Sequence, residues 1–219
     1  SDTLPRRFPP TEEATAEQMY HKGVSEDKFG RTNSAEDAFR TAIAKDPGHT
    51  RALIALGILA LNRFQFGAAL KHFSDALEVE PDNGEACYYL ALARRALGDK
   101  HSARREFSRV LPNTLFYVRA GYELAVIDLR EGKFASARER LLKCIAVNGR
   151  DRNVLAALAY TSRKLGEDGQ AVYWRKKLLL VDPTSAFVSA EHMFSGQADQ
   201  NTLLDSLERL TGRHPQGYI

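Results

Sequence analysis

The chain has 219 residues, 43% hydrophobic and 27% charged, with 31 basic against 28 acidic side chains and a formal net charge of +3. That is the composition of an ordinary globular protein; the balance is too even to mark a nucleic-acid binder, and no apolar run of about 18 residues is present to span a membrane. Two cysteines, Cys87 and Cys144, are too few for a disulfide framework and lack the partners of a zinc site, so a reducing, cytoplasmic compartment is expected.

Residues 1–15 come first. TLPRRFPP, from Thr3 to Pro10, carries three prolines and no helical period. It reads as an extended segment with Phe8 as an anchor, or as a linker. From Ala16 onward a 34-residue period governs the chain. Alanine recurs at Ala35, Ala69, Ala103, Ala137 and Ala171, and Phe39, Phe73, Phe107 and Leu141 each follow four residues after the first four of these. Small residues recur at Gly23, Gly57, Ala91, Ala125 and Ala159, and turn glycines at Gly30, Gly98, Gly132 and Gly166, with Phe64 as the exception. Asp46-Pro47, Glu80-Pro81 and Asp182-Pro183 close units in the same register. Within one unit, Ala52, Leu53, Leu56, Gly57 and Ala60 form an apolar stripe at helical spacing. Ala69, Phe73, Ala76 and Leu77 form a second, beyond a turn placed at Gln65-Phe66-Gly67. The expected element is a helical hairpin. One hairpin cannot bury both stripes, so the units must stack. In the third unit the second helix is expected to stop at Leu111-Pro112, and Arg175 in the fifth stands where the other units carry a large apolar residue.

The spacing of Leu56, Gly57, Ala69, Phe73, Ala76 and Pro81 resembles the tetratricopeptide repeat. The resemblance implies an all-α, right-handed superhelical solenoid of five units: 16–49, 50–83, 84–117, 118–151 and 152–185. Residues 186–219 would then form a degenerate sixth unit or the start of a truncated longer array, with Leu203, Leu204, Leu207 and Leu210 on one amphipathic stripe. More narrowly, PDNGEACYYLALARRALGD together with SAEHMFSG resembles the repeat region of large, uncharacterised bacterial proteins that carry a β-rich N-terminal part.

In that family the first helices of successive repeats line a concave groove. The implied groove stripe is Arg51, Ile54, Ile58 and Asn62; then Tyr88, Tyr89, Leu92 and Arg95. It continues with Arg119, Tyr122, Glu123, Val126 and Arg130, and ends with Asn153, Tyr160, Arg163 and Lys164. The candidate partner-binding residues are Arg51, Asn62, Tyr88, Tyr89, Arg95, Arg119, Tyr122, Arg130, Tyr160, Arg163 and Lys164. Aromatic area backed by guanidinium forks suits an acidic or carboxylate-bearing peptide. For Tyr88 and Tyr122, packing against a neighbouring repeat stands as an equal alternative. Loss of Tyr88 and Arg95 together is expected to weaken binding and spare the fold. Some family members grip a C-terminal carboxylate with a fixed lysine and asparagine set; Tyr20, Val24, Ile54 and Ile58 hold those positions here, so that clamp is missing.

No nucleophile elbow, metal-binding helix motif, phosphate loop or dinucleotide fingerprint occurs, and the 6 histidines share no period. Cys87 and Cys144 read as small buried hydrophobes, and Glu123 and Asp128 as residues of an exposed helical surface. The expected function is a non-catalytic scaffold that needs no cofactor or metal and binds a protein, a peptide or a neighbouring domain of its own chain. Two rival readings are single-stranded RNA on a basic, tyrosine-bearing groove and an oligomerisation module of a larger enzyme.

Overall fold

A computed structural model describes residues 13–185 and Phe187. The expectations for the proline-rich segment, for the sixth unit and for the Leu203–Leu210 stripe lie outside the described residues. Ten helices occur among those described: α1 (Ala16–Lys28), α2 (Thr32–Lys45), α3 (Thr50–Asn62), α4 (Phe66–Val79), α5 (Gly84–Ala96), α6 (Lys100–Val110), α7 (Tyr117–Arg130), α8 (Phe134–Val147), α9 (Arg152–Lys164) and α10 (Asp168–Val181). The second helix of each hairpin starts 34 residues after the one before, at Thr32, Phe66, Lys100, Phe134 and Asp168. As expected from Pro112, α6 stops at Val110 and is the shortest of the ten, with 11 residues.

Local chemistry sets both ends of the first helices. Thr15, His49, Asn83 and Asp151 stand one residue ahead of α1, α3, α5 and α9, and the side chain of each accepts a hydrogen bond from a first-turn backbone N–H. These four fall in phase with the 34-residue period. Thr15 also completes a reciprocal pair: Gln18 N–H donates to its Oγ1 at 3.2 Å, and the Thr15 N–H donates to Gln18 Oε1 at 2.8 Å. Tyr117 holds the in-phase position in the fourth hairpin, and α7 starts there, after Phe116, without a side-chain cap.

At the other end, all five turns close alike. The residue at the turn position takes a positive φ, from 59° to 84°, at Gly30, Phe64, Gly98, Gly132 and Gly166. The next N–H reaches back five residues: Arg31 to Glu26, Gln65 to Ala60, Asp99 to Arg94, Lys133 to Asp128 and Glu167 to Ser162, at 2.8–2.9 Å. Phe64 therefore adopts the left-handed conformation although it is not glycine. The turn placed at Gln65-Phe66-Gly67 is corrected accordingly: it centres on Phe64, and Gly67 lies in the first turn of α4.

The chain divides into two compact units, Ser1–Ala103 and Arg104–Ile219. In the first, each helix from α1 to α4 packs on its successor, and α3 also meets α5. A Cβ added at Gly23 would lie 2.4 Å from Phe39 Cε1, and one at Gly57 2.4 Å from Phe73 Cε1, so the small residue makes room for the ring of its own hairpin. Phe73 is fully buried and stacks on Tyr89 of the following hairpin, centroids 5.8 Å apart. One ring thus joins two hairpins, and truncating such a residue typically costs about 3–5 kcal/mol.

In the second unit α7, α8, α9 and α10 pack in sequence, with α7 also on α9. Leu141, Cys144, Leu155, Leu158, Tyr160, Leu178 and Phe187 share its core, with Trp174 packed against it. Arg175, at the position other units fill with Phe or Leu, is only half-buried. Both cysteines are free and buried; burial pushes the Cys144 thiol up to about 11, so it stays protonated near neutrality. The described residues form the all-α hairpin array that the period implies.

Candidate functional site

The expected stripe runs along the first helices, and those helices differ in what they leave open. On α3, Arg51 and Asn62 are exposed, Ile58 is half-buried and Ile54 is buried. On α5, Tyr88 and Tyr89 are 8% and 6% exposed, and Arg95 is half-buried. On α7, Tyr122 is buried at 5%, while Arg119 and Arg130 are half-buried. On α9, Tyr160 is fully buried and Arg163 and Lys164 are half-buried, each with its cation 5.6 Å from the Tyr160 ring centroid. The rings lie beneath the surface and the cations reach it. Tyr88 meets Tyr89 edge-on at 5.4 Å, so these two lie together.

Arg51 is the most developed element of the stripe. Its guanidinium lies 4.9 Å from the centre of the Tyr20 ring and its side chain is 57% exposed. One nitrogen, Nη2, donates to both oxygens of Glu17 at 2.7 Å. Glu17 also contacts His49 Nε2 at 3.2 Å and His21 Nε2 at 2.8 Å. Desolvation opposes the charge on Glu17, but Arg51, with His21 and His49, outweighs it and holds the carboxyl below its ordinary value. His49 is tied on both sides, because its Nδ1 accepts the Ala52 N–H that caps α3 at 3.3 Å. A guanidinium carries five N–H donors, and Glu17 engages one nitrogen of this one. The cluster Glu17–Tyr20–His49–Arg51 was not assembled by sequence reasoning. Its signal was the 34-residue separation that sets Glu17 and Arg51 at the same place in consecutive units.

A second polar cluster corrects an expectation outright. Glu123 and Asp128 are not surface residues: they are 4% and 1% exposed. Asp128 Oδ1 accepts from Arg104 Nη1 at 2.6 Å, and Oδ2 accepts from Arg140 Nε at 3.0 Å and Ser136 Oγ at 2.9 Å. Arg104 continues to Glu131 at 3.0 Å. Burial alone would raise the Asp128 carboxyl, but the donors from Arg104, Ser136 and Arg140 prevail and hold it below the ordinary aspartate value. The cluster ties α6, α7 and α8 together around the buried Asp128 carboxylate. Among the described residues no group of three or more His, Cys, Asp or Glu is placed to hold a metal ion, and no helix is long and apolar enough to cross a membrane.

The family model described as tetratricopeptide repeat matches residues 20–64 and 54–114. A human relative, protein O-mannosyl-transferase TMTC3, is 27% identical over 191 residues; the match covers 84% of this chain and 21% of the relative, so the chain spans about a fifth of its length. Among solved structures, Pseudomonas aeruginosa PilF superposes with a TM-score of 0.73 at 18% identity, over 94% of both chains. YrrB, described as a tetratricopeptide protein with an unusual peptide-binding site, superposes with a TM-score of 0.62 at 13% identity, over 89% of this chain and 92% of its own. At such identities the structural likeness speaks for the fold alone.

Proposed function

We propose that this chain, whose residues 20–114 match the tetratricopeptide repeat, is a non-catalytic scaffold that binds a carboxylate-bearing peptide or protein segment along its first-helix stripe. The observation that carries this reading is Arg51. Its guanidinium lies over the Tyr20 ring and is fixed by Glu17, yet more than half of the side chain faces solvent. A fork ordered before binding loses little entropy when it meets a carboxylate. Asn62, exposed three turns further along α3, supplies a neutral hydrogen-bonding group on the same helix. In the first unit Arg95 is a further half-buried cation of the stripe; in the second, Arg119 and Arg130 are likewise half-buried, and Arg163 and Lys164 lie beside the buried Tyr160 ring, which supports them rather than meeting a ligand itself. The peptide-binding site described for YrrB is compatible with this use of the fold.

Single-stranded RNA needs open rings on which bases stack, and the four tyrosines are buried. A display selection of random peptides on the full chain tests the proposal. It should enrich carboxylate-rich sequences whose binding is lost in Arg51→Glu. Enrichment that ignores Arg51, or a salt-steep affinity for RNA with no peptide enriched, overturns it.

A further inference from the structure

Two other second helices, α2 and α8, give a comparison for α10. In α2, Glu36 and Arg40 pair at i,i+4 with 2.6 Å between them. In α8, Glu139 and Lys143 pair in the same way at 2.7 Å, one position along. The period places Val172 and Lys176 of α10 at the Glu36 and Arg40 positions, and Tyr173 and Lys177 at the Glu139 and Lys143 positions. Thus α10 keeps both cations and replaces both carboxylates with apolar groups. Among the described residues neither lysine meets an acidic side chain. Lys177 instead lies over the rings of Tyr173 and Trp174, 5.1 and 5.9 Å from their centroids.

The same face is apolar where an isolated surface helix is normally polar. Val172 (38% exposed), Tyr173 (45%), Leu179 (39%) and Leu180 (81%) share it with the two lysines, within an arc of about 160° at 100° per residue. The opposite face, with Ala171 and Leu178, is buried. We propose that this exposed face of α10 is a second docking surface, distinct from the first-helix stripe, and that its occupant is an acidic amphipathic helix of a protein partner. The partner's leucine-type side chains would cover Val172, Leu179 and Leu180, and its carboxylates would take the places that Glu36 fills in α2 and Glu139 in α8. Charge complementarity selects the acidic partner. The partly recessed Val172 and Leu179 favour a packed helix over a lipid surface, which only projecting residues enter deeply.

The test titrates the full chain with a labelled amphipathic helix peptide bearing a leucine stripe flanked by glutamates, with its lysine-for-glutamate twin, and with phosphatidylserine–phosphatidylcholine vesicles. The glutamate peptide should bind and the lysine twin should not. Lys176→Glu with Lys177→Glu should weaken binding about tenfold or more, and Leu180→Ser should weaken it separately. Both variants sit on exposed positions and should keep the wild-type circular dichroism and melting curve. Arg51→Glu should leave this binding intact, which distinguishes a failure here from a failure of the groove reading. Binding of both peptides alike, vesicle binding in place of peptide binding, indifference to the lysine reversal, or no binding at all would each overturn the proposal.

Discussion

Helices α3 and α7 hold the same place in the repeat and meet different fates. Along α3 an open line survives, with Arg51 and Asn62 exposed and Ile58 half-covered. Along α7, ten consecutive residues from Ala120 to Leu129 are buried, Glu123 and Asp128 among them. A helix buried on every side must satisfy its own polar groups, and Asp128 does so with two arginines and a serine. One frame therefore yields a helix that offers charge to solvent and another that spends charge on internal cohesion.

The comparison can be broken at either end. The largest effect is expected from Ala69→Arg on α4, the partner of α3, since Ala69 has no exposed surface. Overpacking there should remove more than about 4 kcal/mol, read as loss of helicity at room temperature. Asp128→Ala should cost about 3 kcal/mol in a urea titration, because it strips the shared acceptor from Arg104, Arg140 and Ser136. Its pH dependence has a definite sign. The native carboxyl is held below the ordinary value of 3.8, so its contribution is complete above that value and is lost as pH falls further. The variant should lack that acid-labile component. Phe64→Gly sharpens the picture from the other direction. It relieves a left-handed phenylalanine with φ 59° and should stabilise by about 1 kcal/mol. Arg51→Ala should change stability by less than about 1 kcal/mol, since its ion pair is exposed, so any effect on a selected peptide would report binding itself.

The repeat was legible because it is written in residues that act locally. Glycine at the turn, alanine at the crossing and phenylalanine over the glycine each have one physical use, and the 34-residue spacing multiplies the signal. The caps at Thr15, His49, Asn83 and Asp151 were not read from the sequence, although they fall on the same 34-residue period. What the sequence concealed was burial around the first helices. Tyr88 sits among groove residues by register, yet its 8% exposure makes it a packing residue. Removing it with Arg95 should now lower the melting temperature, contrary to the expectation from spacing alone. Asp128 reads as a surface acid until Arg104, 24 residues upstream, and Arg140, 12 downstream, are folded against it. Pairings between helices set these fates, and no window along the chain displays them.

The most direct measurement is the affinity of one selected acidic peptide for wild type and for Arg51→Ala, with melting curves taken on the same samples. The account predicts a loss of about tenfold or more in affinity, as for a charge-assisted fork, with superimposable melts. Equal affinities with superimposable melts would contradict it, because the open guanidinium on α3 would then have no part in recognition.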